Sequence, residues 1–494
     1  MTKNWTEAAA QAELPTQLFI DGEFRPARSG KTFANYSPID GRLLGNVAEG
    51  TAEDVDTAVT SGARAFEDGT WRWLDPAERK KVLLRLADLI RKHNEEIALA
   101  ETLDVGKPIG DTLSVDGLSA ADCFQWYAEA IDKFYGEVAP TSPDRLALIT
   151  REPLGVIGAV VPWNYPTIIA SWKVAPALAA GNSVVLKPAE QSPSSALILA
   201  RLATEAGVPA GVFNVVTGGP AAGEALGRDP RVAKIAFTGS GPVGRKFLQY
   251  AGESNGKQVA VEAGGKSPQL ILDDVPNLDA AVSAVAWGIF YNAGQTCHAG
   301  SRVLVGRGVH DEFLERLVKF TEENFIPGDP LSTQTKLGAI VSPEQADQVM
   351  NYISIGTESN ADLILGGQRA RTDSGGTYVK PTVFTNVETS SQIAQEEIFG
   401  PVLTVTPVND LEDGIAQANG TDYGLAASIW TGDVTAAHSA AQHLRAGTVW
   451  VNTYDEASLM TPFGGFNGSG FGRDRSLHAL SSYTGLKTTW ISLS

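Results

Sequence analysis

Val232-Ala233-Lys234-Ile235-Ala236-Phe237-Thr238-Gly239-Ser240-Gly241-Pro242-Val243-Gly244 is the stretch that decides the fold. An apolar run of strand character leads into glycines spaced G-x-G-x-x-G, and a helical pattern opens behind them. Strand, glycine turn and helix in that order form one unit of a parallel sheet. Backbone N–H groups at such a helix start hold a pyrophosphate. A tight strand-to-helix turn with no ligand satisfies the same residues, so the motif needs its surroundings.

Those surroundings repeat the unit. Between Gly155 and about Gly264, Val156–Val161, Ser183–Leu186, Gly211–Val216 and Val232–Phe237 alternate with helical stretches. Near-continuous apolar strands between helices mean a parallel sheet covered on both faces. This is a doubly wound α/β architecture of Rossmann-like type. The second half alternates less regularly: strands are expected at Pro268–Leu272, Ser301–Val305, Leu363–Leu365, Gly400–Val405 and Thr448–Asn452, with a helix over Leu278–Tyr291.

Toward the N-terminus, Leu18-Phe19-Ile20-Asp21-Gly22-Glu23-Phe24 reads as a hairpin with Asp-Gly at its turn. Thr51 is placed to cap a helix with acidic residues in its first turn. Asp75–Glu101 reads as one long amphipathic helix with Pro76 at its first position, and a further helix is expected over Leu113–Ile131. Phe134–Thr150 is strand-like around Pro140 and Pro143 and leaves the main body. The tail, Thr488–Ser492, is strand-like again.

The net charge is −18, from 39 basic and 57 acidic residues, which excludes the basic footprint that nucleic acid requires. Apolar residues make up 43% of the 494 and charged ones 19%, enough for a large core. The polar stretch Met1–Gln17 has no apolar centre for a leader peptide. The most apolar region, Leu154–Ala180, is broken by Pro162, Asn164, Pro166 and Lys173 and is not expected to span a bilayer. A cytoplasmic protein is expected. The two cysteines, Cys123 and Cys297, do not make a disulfide framework.

Cys297 lies in Gly294-Gln295-Thr296-Cys297-His298-Ala299-Gly300. A thiol on a glycine-flanked turn is a candidate nucleophile once its thiolate is favoured, although free cysteine is more often a small buried residue. Glu262 lies 18 residues past Gly244, near the spacing of a ribose-binding acid. Lys187-Pro188-Ala189-Glu190, directly after a strand, competes for that role and would free Glu262 for other work. His298 follows Cys297 directly, and adjacent side chains rarely face each other, so it is given no catalytic role.

Further phrases bring these residues into one pattern. They are Val161-Pro162-Trp163-Asn164-Tyr165-Pro166, Leu186-Lys187-Pro188-Ala189-Glu190, Phe237-Thr238-Gly239-Ser240 and Glu262-Ala263-Gly264-Gly265-Lys266. Gly294-Gln295-Thr296-Cys297, Glu396-Glu397-Ile398-Phe399-Gly400-Pro401 and Pro462-Phe463-Gly464-Gly465 complete the set. In this order, over nearly the full length, the chain resembles the NAD(P)-dependent aldehyde dehydrogenases. It departs from their usual pattern in having Ala263 where leucine is common and a second glycine at Gly241.

The resemblance implies a thiolate of Cys297 attacking an aldehyde, and an oxyanion held by the Asn164 side chain and the Cys297 N–H. It implies hydride transfer to NAD, with NADP as the alternative, and a thioester hydrolysed by water that Glu262 deprotonates. Lys187 and Glu190 would hold the adenosine ribose, Glu397 the nicotinamide ribose, and Gly239, Ser240 and Gly244 the pyrophosphate turn. Trp163 and Phe399 would also lie on the cofactor, Phe399 near the nicotinamide. No metal is expected. Glu190 favours NAD over NADP, because a carboxylate near the 2′ position repels a phosphate there.

Among these enzymes the chain resembles the gamma-glutamyl-gamma-aminobutyraldehyde and other aminoaldehyde dehydrogenases, on phrases around Trp126 and Arg473. Tyr165 and Trp172 are the expected aromatic walls of a pocket, and Asp116, Asp455 and Glu456 the acids that attract a cationic tail. The expected substrate is therefore an aminoaldehyde or another omega-polar aldehyde. A broad-specificity aliphatic, aromatic or semialdehyde dehydrogenase is the alternative. A CoA-acylating enzyme and a non-catalytic binding protein are the more distant ones. The resemblance divides the chain into an NAD(P)-binding domain (1–131 and 151–265), a catalytic domain (266–480) and a small β oligomerisation arm (132–150 and 481–494). A homodimer or homotetramer is expected.

Overall fold

Strands buried on both faces need helices on both sides, and this chain builds two such sheets. The computed structural model describes residues 3–493. Met1 and Thr2, which open the stretch read for a leader, and Ser494 of the tail lie outside the described residues. The first sheet has eight strands, in the order Glu23–Arg25, Leu18–Ile20, Phe213–Val215, Ser183–Lys187, Val156–Val160, Val232–Thr238, Gln258–Glu262, Gly470–Phe471. Its middle strands, from Phe213–Val215 to Gln258–Glu262, are parallel. The N-terminal hairpin closes one edge, turning through Asp21 (φ 59°) and Gly22 (φ 83°).

Chain order reverses between Val156–Val160 and Val232–Thr238: the next two strands fan to one side, the last parallel one to the other. The loops leaving adjacent strands at such a point diverge and open a crevice at the C-terminal strand ends. Trp163 and Asn164 follow the first of these strands, Gly239 and Ser240 the second.

The second sheet runs Asp362–Leu365, Thr382–Thr385, Val402–Val408, Arg302–Gly306, Pro268–Ile271, Ala426–Trp430, Thr448–Val451. All its pairings are parallel except that of the first edge strand. The segment Ala263–Ser267 runs from the end of Gln258–Glu262 to the start of Pro268–Ile271. The C-terminal edge of one sheet is thereby joined to the N-terminal edge of the other.

Two helices differ from expectation. Asp75–Glu101 is not one helix: Pro76–Lys92 ends at His93, whose backbone (φ −98°, ψ 17°) turns the chain into a second helix, Asn94–Val105. The break lets residues Ile97–Val105 bury on every side, which a straight amphipathic continuation would prevent. The helix expected from Leu113 begins as a π-turn, Thr112–Asp116, before Gly117–Ala130. The apolar region Leu154–Ala180 divides into a buried strand and the helix Pro166–Ala179. Among the described residues no helix is long and apolar enough to cross a membrane.

Glu137–Ala139, Arg145–Pro153 and Thr484–Ser492 form a separate three-stranded antiparallel sheet. The middle strand extends to Pro153, past the boundary expected at 150. The limit expected at 480 falls within a segment that docks on the first sheet. Gly470–Phe471 pairs with Val261 and Glu262, Lys234 donates to the Ser482 carbonyl and Asn182 to that of Tyr483.

The firmest of these docking contacts is the ion pair Lys173–Asp474, at 2.5 Å with side chains 1% and 6% exposed. Removing one partner of a buried pair strands the other charge, at a cost of about 3–5 kcal/mol. Lys173→Met is therefore expected to lower the urea midpoint by a corresponding amount, whereas an unchanged midpoint would show that the pair does not fasten this segment.

Candidate active site

The loop bearing Cys297 is set by an unusual turn. Helix Leu278–Phe290 ends, and Asn292 (φ 48°), Ala293 (φ 54°) and Gly294 (φ 72°) follow in the left-handed region. Asparagine and glycine tolerate this conformation, but alanine carries strain on the order of 1 kcal/mol. At Gly294 there is a second reason for glycine: a side chain would run into the backbone of Gly400.

Hydrogen bonds over-determine the turn. Gln295 Nε2 donates to the carbonyls of Asn292 (3.1 Å) and Ala339 (3.3 Å), and its Oε1 accepts from Val341 N–H (2.9 Å). Asn292 Nδ2 donates to the Asn164 carbonyl (3.0 Å), while Asn164 Nδ2 donates to the Gln295 carbonyl (3.0 Å). Tyr165 and Thr296 share a hydroxyl hydrogen bond of 2.7 Å, and Tyr454 donates to the His298 carbonyl. The sequence stretches around residues 164 and 297 are thus locked together. Asn164 is 2% exposed, and only one hydrogen of its amide is used in this lock.

Cys297 is partly exposed and opens into a cavity of about 640 Å³. The aromatic walls include Trp126, Tyr165, Trp172, Trp450 and Phe463. Of the pocket residues expected from sequence, Tyr165, Trp172 and Asp455 line it. Asp116 does not: it is buried in an ion pair with Lys107 (2.6 Å), whose Nζ lies 3.9 Å from the centre of the Tyr165 ring. Glu456 is not a wall residue either. Its backbone carbonyl accepts from Trp450 Nε1 (2.9 Å), and its side chain is exposed. Charge in the sequence points to both acids but does not show which way a side chain faces.

Glu262 ends its strand and is 4% exposed, and neither carboxylate oxygen has a hydrogen-bond partner among the described residues. Burial, reinforced by Asp474, pushes its carboxyl well above the usual range, against the pull of Lys173, Arg473 and Arg475. Its carboxylate lies against Gly464.

The dinucleotide candidates line up along the C-terminal strand ends. Lys187 ends Ser183–Lys187. Its Nζ donates to the Pro188 carbonyl (3.1 Å) and stands 3.6 Å from Glu190, with burial lowering its pKa against Glu190. Ser240 precedes helix Gly241–Gly252, whose first N–H groups have no partner within the helix. Gly239 N–H donates to the Glu262 carbonyl (3.0 Å), and Gly244 lets the helix approach Val261.

Glu397 accepts from Gly265 N–H (3.2 Å), and a side chain at Gly264 would collide with its carboxylate. Burial raises Glu397 to about 7 against the opposing pull of Gly265 N–H and Lys266. Phe399 (φ 57°) meets Trp163 edge-on at 5.2 Å. Free helix N–H groups, a lysine–glutamate pair and a second carboxylate against the Gly264–Gly265 backbone fit a dinucleotide.

Sequence reasoning missed His298, Trp126, Trp450, Phe463 and Arg475 as cavity residues. The expectation that the His298 ring turns away from its neighbour is not met: Nδ1 is 3.7 Å from Cys297 Sγ. Nothing local signals this, because the partner fixing the ring, Asp455, is remote in sequence.

Comparison with known proteins defines the class. The model of the aldehyde dehydrogenase family matches residues 24–489. The NADP/NAD-dependent aldehyde dehydrogenase PuuC of Escherichia coli is 48% identical over 490 residues, 99% of this chain and 98% of its own. Among solved structures, the Pseudomonas syringae indole-3-acetaldehyde dehydrogenase AldA, in complex with NAD+ and IAA, is 49% identical. It superposes with a TM-score of 0.98 over 99% of both chains. The gamma-glutamyl-gamma-aminobutyraldehyde dehydrogenase of Burkholderia cenocepacia is 52% identical, with a TM-score of 0.97 over 99% of both chains. This chain belongs to the aldehyde dehydrogenase family and is an NAD(P)-dependent oxidoreductase of that class.

With the expected place of Glu397 on the nicotinamide ribose, displacing its carboxylate would cost a hydrogen bond to the cofactor, about tenfold in binding. Gly264→Ala is expected to raise the KM for NAD+ by that factor with little change in thiol labelling. An unaltered KM would remove Glu397 from the cofactor site.

Proposed function

We propose that the chain oxidises an aldehyde to its acid through a thiohemiacetal and a thioester on Cys297. The observation that carries the reading is the hydrogen-bonded lock placing the Asn164 amide against the Cys297 loop. The thiolate attacks the carbonyl carbon, and the oxyanion takes the free Asn164 N–H and the Cys297 N–H. Losing one such donor typically costs about a hundredfold or more. NAD(P)+, when bound, accepts the hydride that the collapsing thiohemiacetal expels. Lys187, Glu190, Ser240, Glu397, Phe399 and Trp163 hold and orient it. Glu190 supports NAD+ over NADP+.

Glu262 then takes a proton from the water that hydrolyses the thioester. Only its ionised form serves. Since burial raises its pKa, kcat should climb with pH above the ordinary carboxylate range while hydrolysis limits the rate.

The aromatic walls suit an extended substrate, and Asp122 and Asp455 stand among them. An omega-polar aldehyde of the aminoaldehyde type is the reading these walls and the named relatives support. The three-stranded sheet is the proposed oligomerisation arm. Val138, Leu486 and Trp490 on it are 67%, 64% and 66% exposed, and such a sheet edge needs a partner. We place the enzyme in the cytoplasm as a homodimer or homotetramer with cofactor, catalytic and arm segments, the middle strand of the arm running on to Pro153.

Two measurements test this. Glu262→Gln should lose about a hundredfold or more in steady-state kcat, yet still release a single burst of NADH; loss of the burst as well would deny Glu262 its late role. Across an aldehyde panel, 4-aminobutyraldehyde should surpass butyraldehyde in kcat/KM. A clear preference for butyraldehyde would remove the omega-polar assignment.

A further inference from the structure

We propose that Cys297, His298 and Asp455 form a proton relay in which His298 receives the thiol proton and holds the thiolate ready for attack. Asp455 fixes the ring. The proposal rests on Cys297 as the nucleophile and adds a group that the reading above leaves without a role.

The geometry is specific. His298 Nε2 lies 2.7 Å from Asp455 Oδ1, and Nδ1 lies 3.7 Å from Cys297 Sγ. Both ring nitrogens are thereby engaged, one by a carboxylate and one by the sulfur. The carboxylate accepts the Nε2 hydrogen, so the neutral ring turns its Nδ1 lone pair toward the thiol. Phe463 meets the ring edge-on at 5.6 Å, and Trp450 lies at 6.2 Å. Tyr454 holds the His298 carbonyl. Asp455 reaches the ring from a left-handed backbone (φ 63°), a conformation that aspartate tolerates better than most residues. Glu262, by contrast, makes no hydrogen bond to the sulfur and points at Gly464.

The step is a proton transfer with no change of oxidation state. The S–H bond breaks, an Nδ1–H bond forms, and the electron pair stays on sulfur. Imidazolium then lies between thiolate and carboxylate. The other ionisable groups near this line are Arg475, which acts on both Asp455 and Cys297, and the phenols of Tyr165, Tyr291 and Tyr454. Burial holds all three phenols in their neutral form. Burial on its own would also favour neutral His298, but the Asp455 carboxylate outweighs it and raises the imidazole to about 10. The proton therefore stays on His298 through the neutral range. Asp455, whose side chain is half exposed, is held below its usual range by the His298 cation.

The test is the rate at which iodoacetamide alkylates the full-length enzyme at about pH 6 and pH 8.5, read on the peptide containing Cys297. Cys123 is fully buried and serves as the unreactive reference. In the wild type the two rates should be similar. In His298→Gln the rate at the lower pH should fall about tenfold or more, with the rate at the higher pH nearly retained. Asp455→Asn should give an intermediate fall, and it decides the question by itself if the histidine variant does not fold. A wild-type ratio of the two rates in either folded variant, or an equal slowing at both pH values, overturns the relay. Alkylation needs neither aldehyde nor cofactor, so the result is independent of whether the enzyme oxidises the proposed substrates.

Discussion

The reciprocal hydrogen bonds between Asn164 and the Asn292–Gln295 turn are the constraint on which the site depends. Asn164 follows the central strand of one sheet, and the turn precedes an inner strand of the other. Neither sheet contains the chemistry alone. A nucleophile must stand within bonding distance of a carbonyl whose oxygen already faces a donor, and misplacement by an ångström is costly. Ala293, held in the left-handed region before Gln295, is the conformational cost of presenting the sulfur there, offset by the side-chain hydrogen bonds around the turn.

Behind this lock lies a layer of buried charge. Lys107 and Asp116 pair beneath the Tyr165 ring, and Glu101 accepts from the Thr167 N–H at 2.7 Å. Tyr165 in turn holds Thr296. Buried pairs contribute little net stability, but they punish rearrangement, because a displaced partner is left uncompensated. Their service here is positional: they keep the wall beside the nucleophile from relaxing. The same low dielectric raises the carboxyls of Glu262 and Glu397 above the usual range.

Much of this was legible in the residues themselves. Continuous apolar strands between helical stretches fixed the parallel order, because strands covered on both faces have no polar side to alternate. The Gly239–Gly244 turn and the Asp21-Gly22 hairpin were readable because backbone conformation there leaves few residue choices. The break at His93 was not, since helical periodicity continues across it in the sequence. Asp116 and Glu456 stand out by charge, and charge says nothing about direction: one is sealed against Lys107, the other faces solvent. Adjacent side chains diverge on regular backbone, which hides His298 in the sequence. An irregular loop and a carboxylate from a remote segment turned the ring toward the sulfur.

The central claim is that one sulfur carries the acyl group between hydride loss and water attack. Acid quenching of the enzyme during turnover with NAD+ and an aldehyde, followed by peptide mass analysis, tests it most directly. The account predicts an acyl mass increment on the peptide containing Cys297 and none on the peptide containing Cys123. NADH formation without acylation of Cys297 during turnover, or an acyl group on another residue, would contradict it.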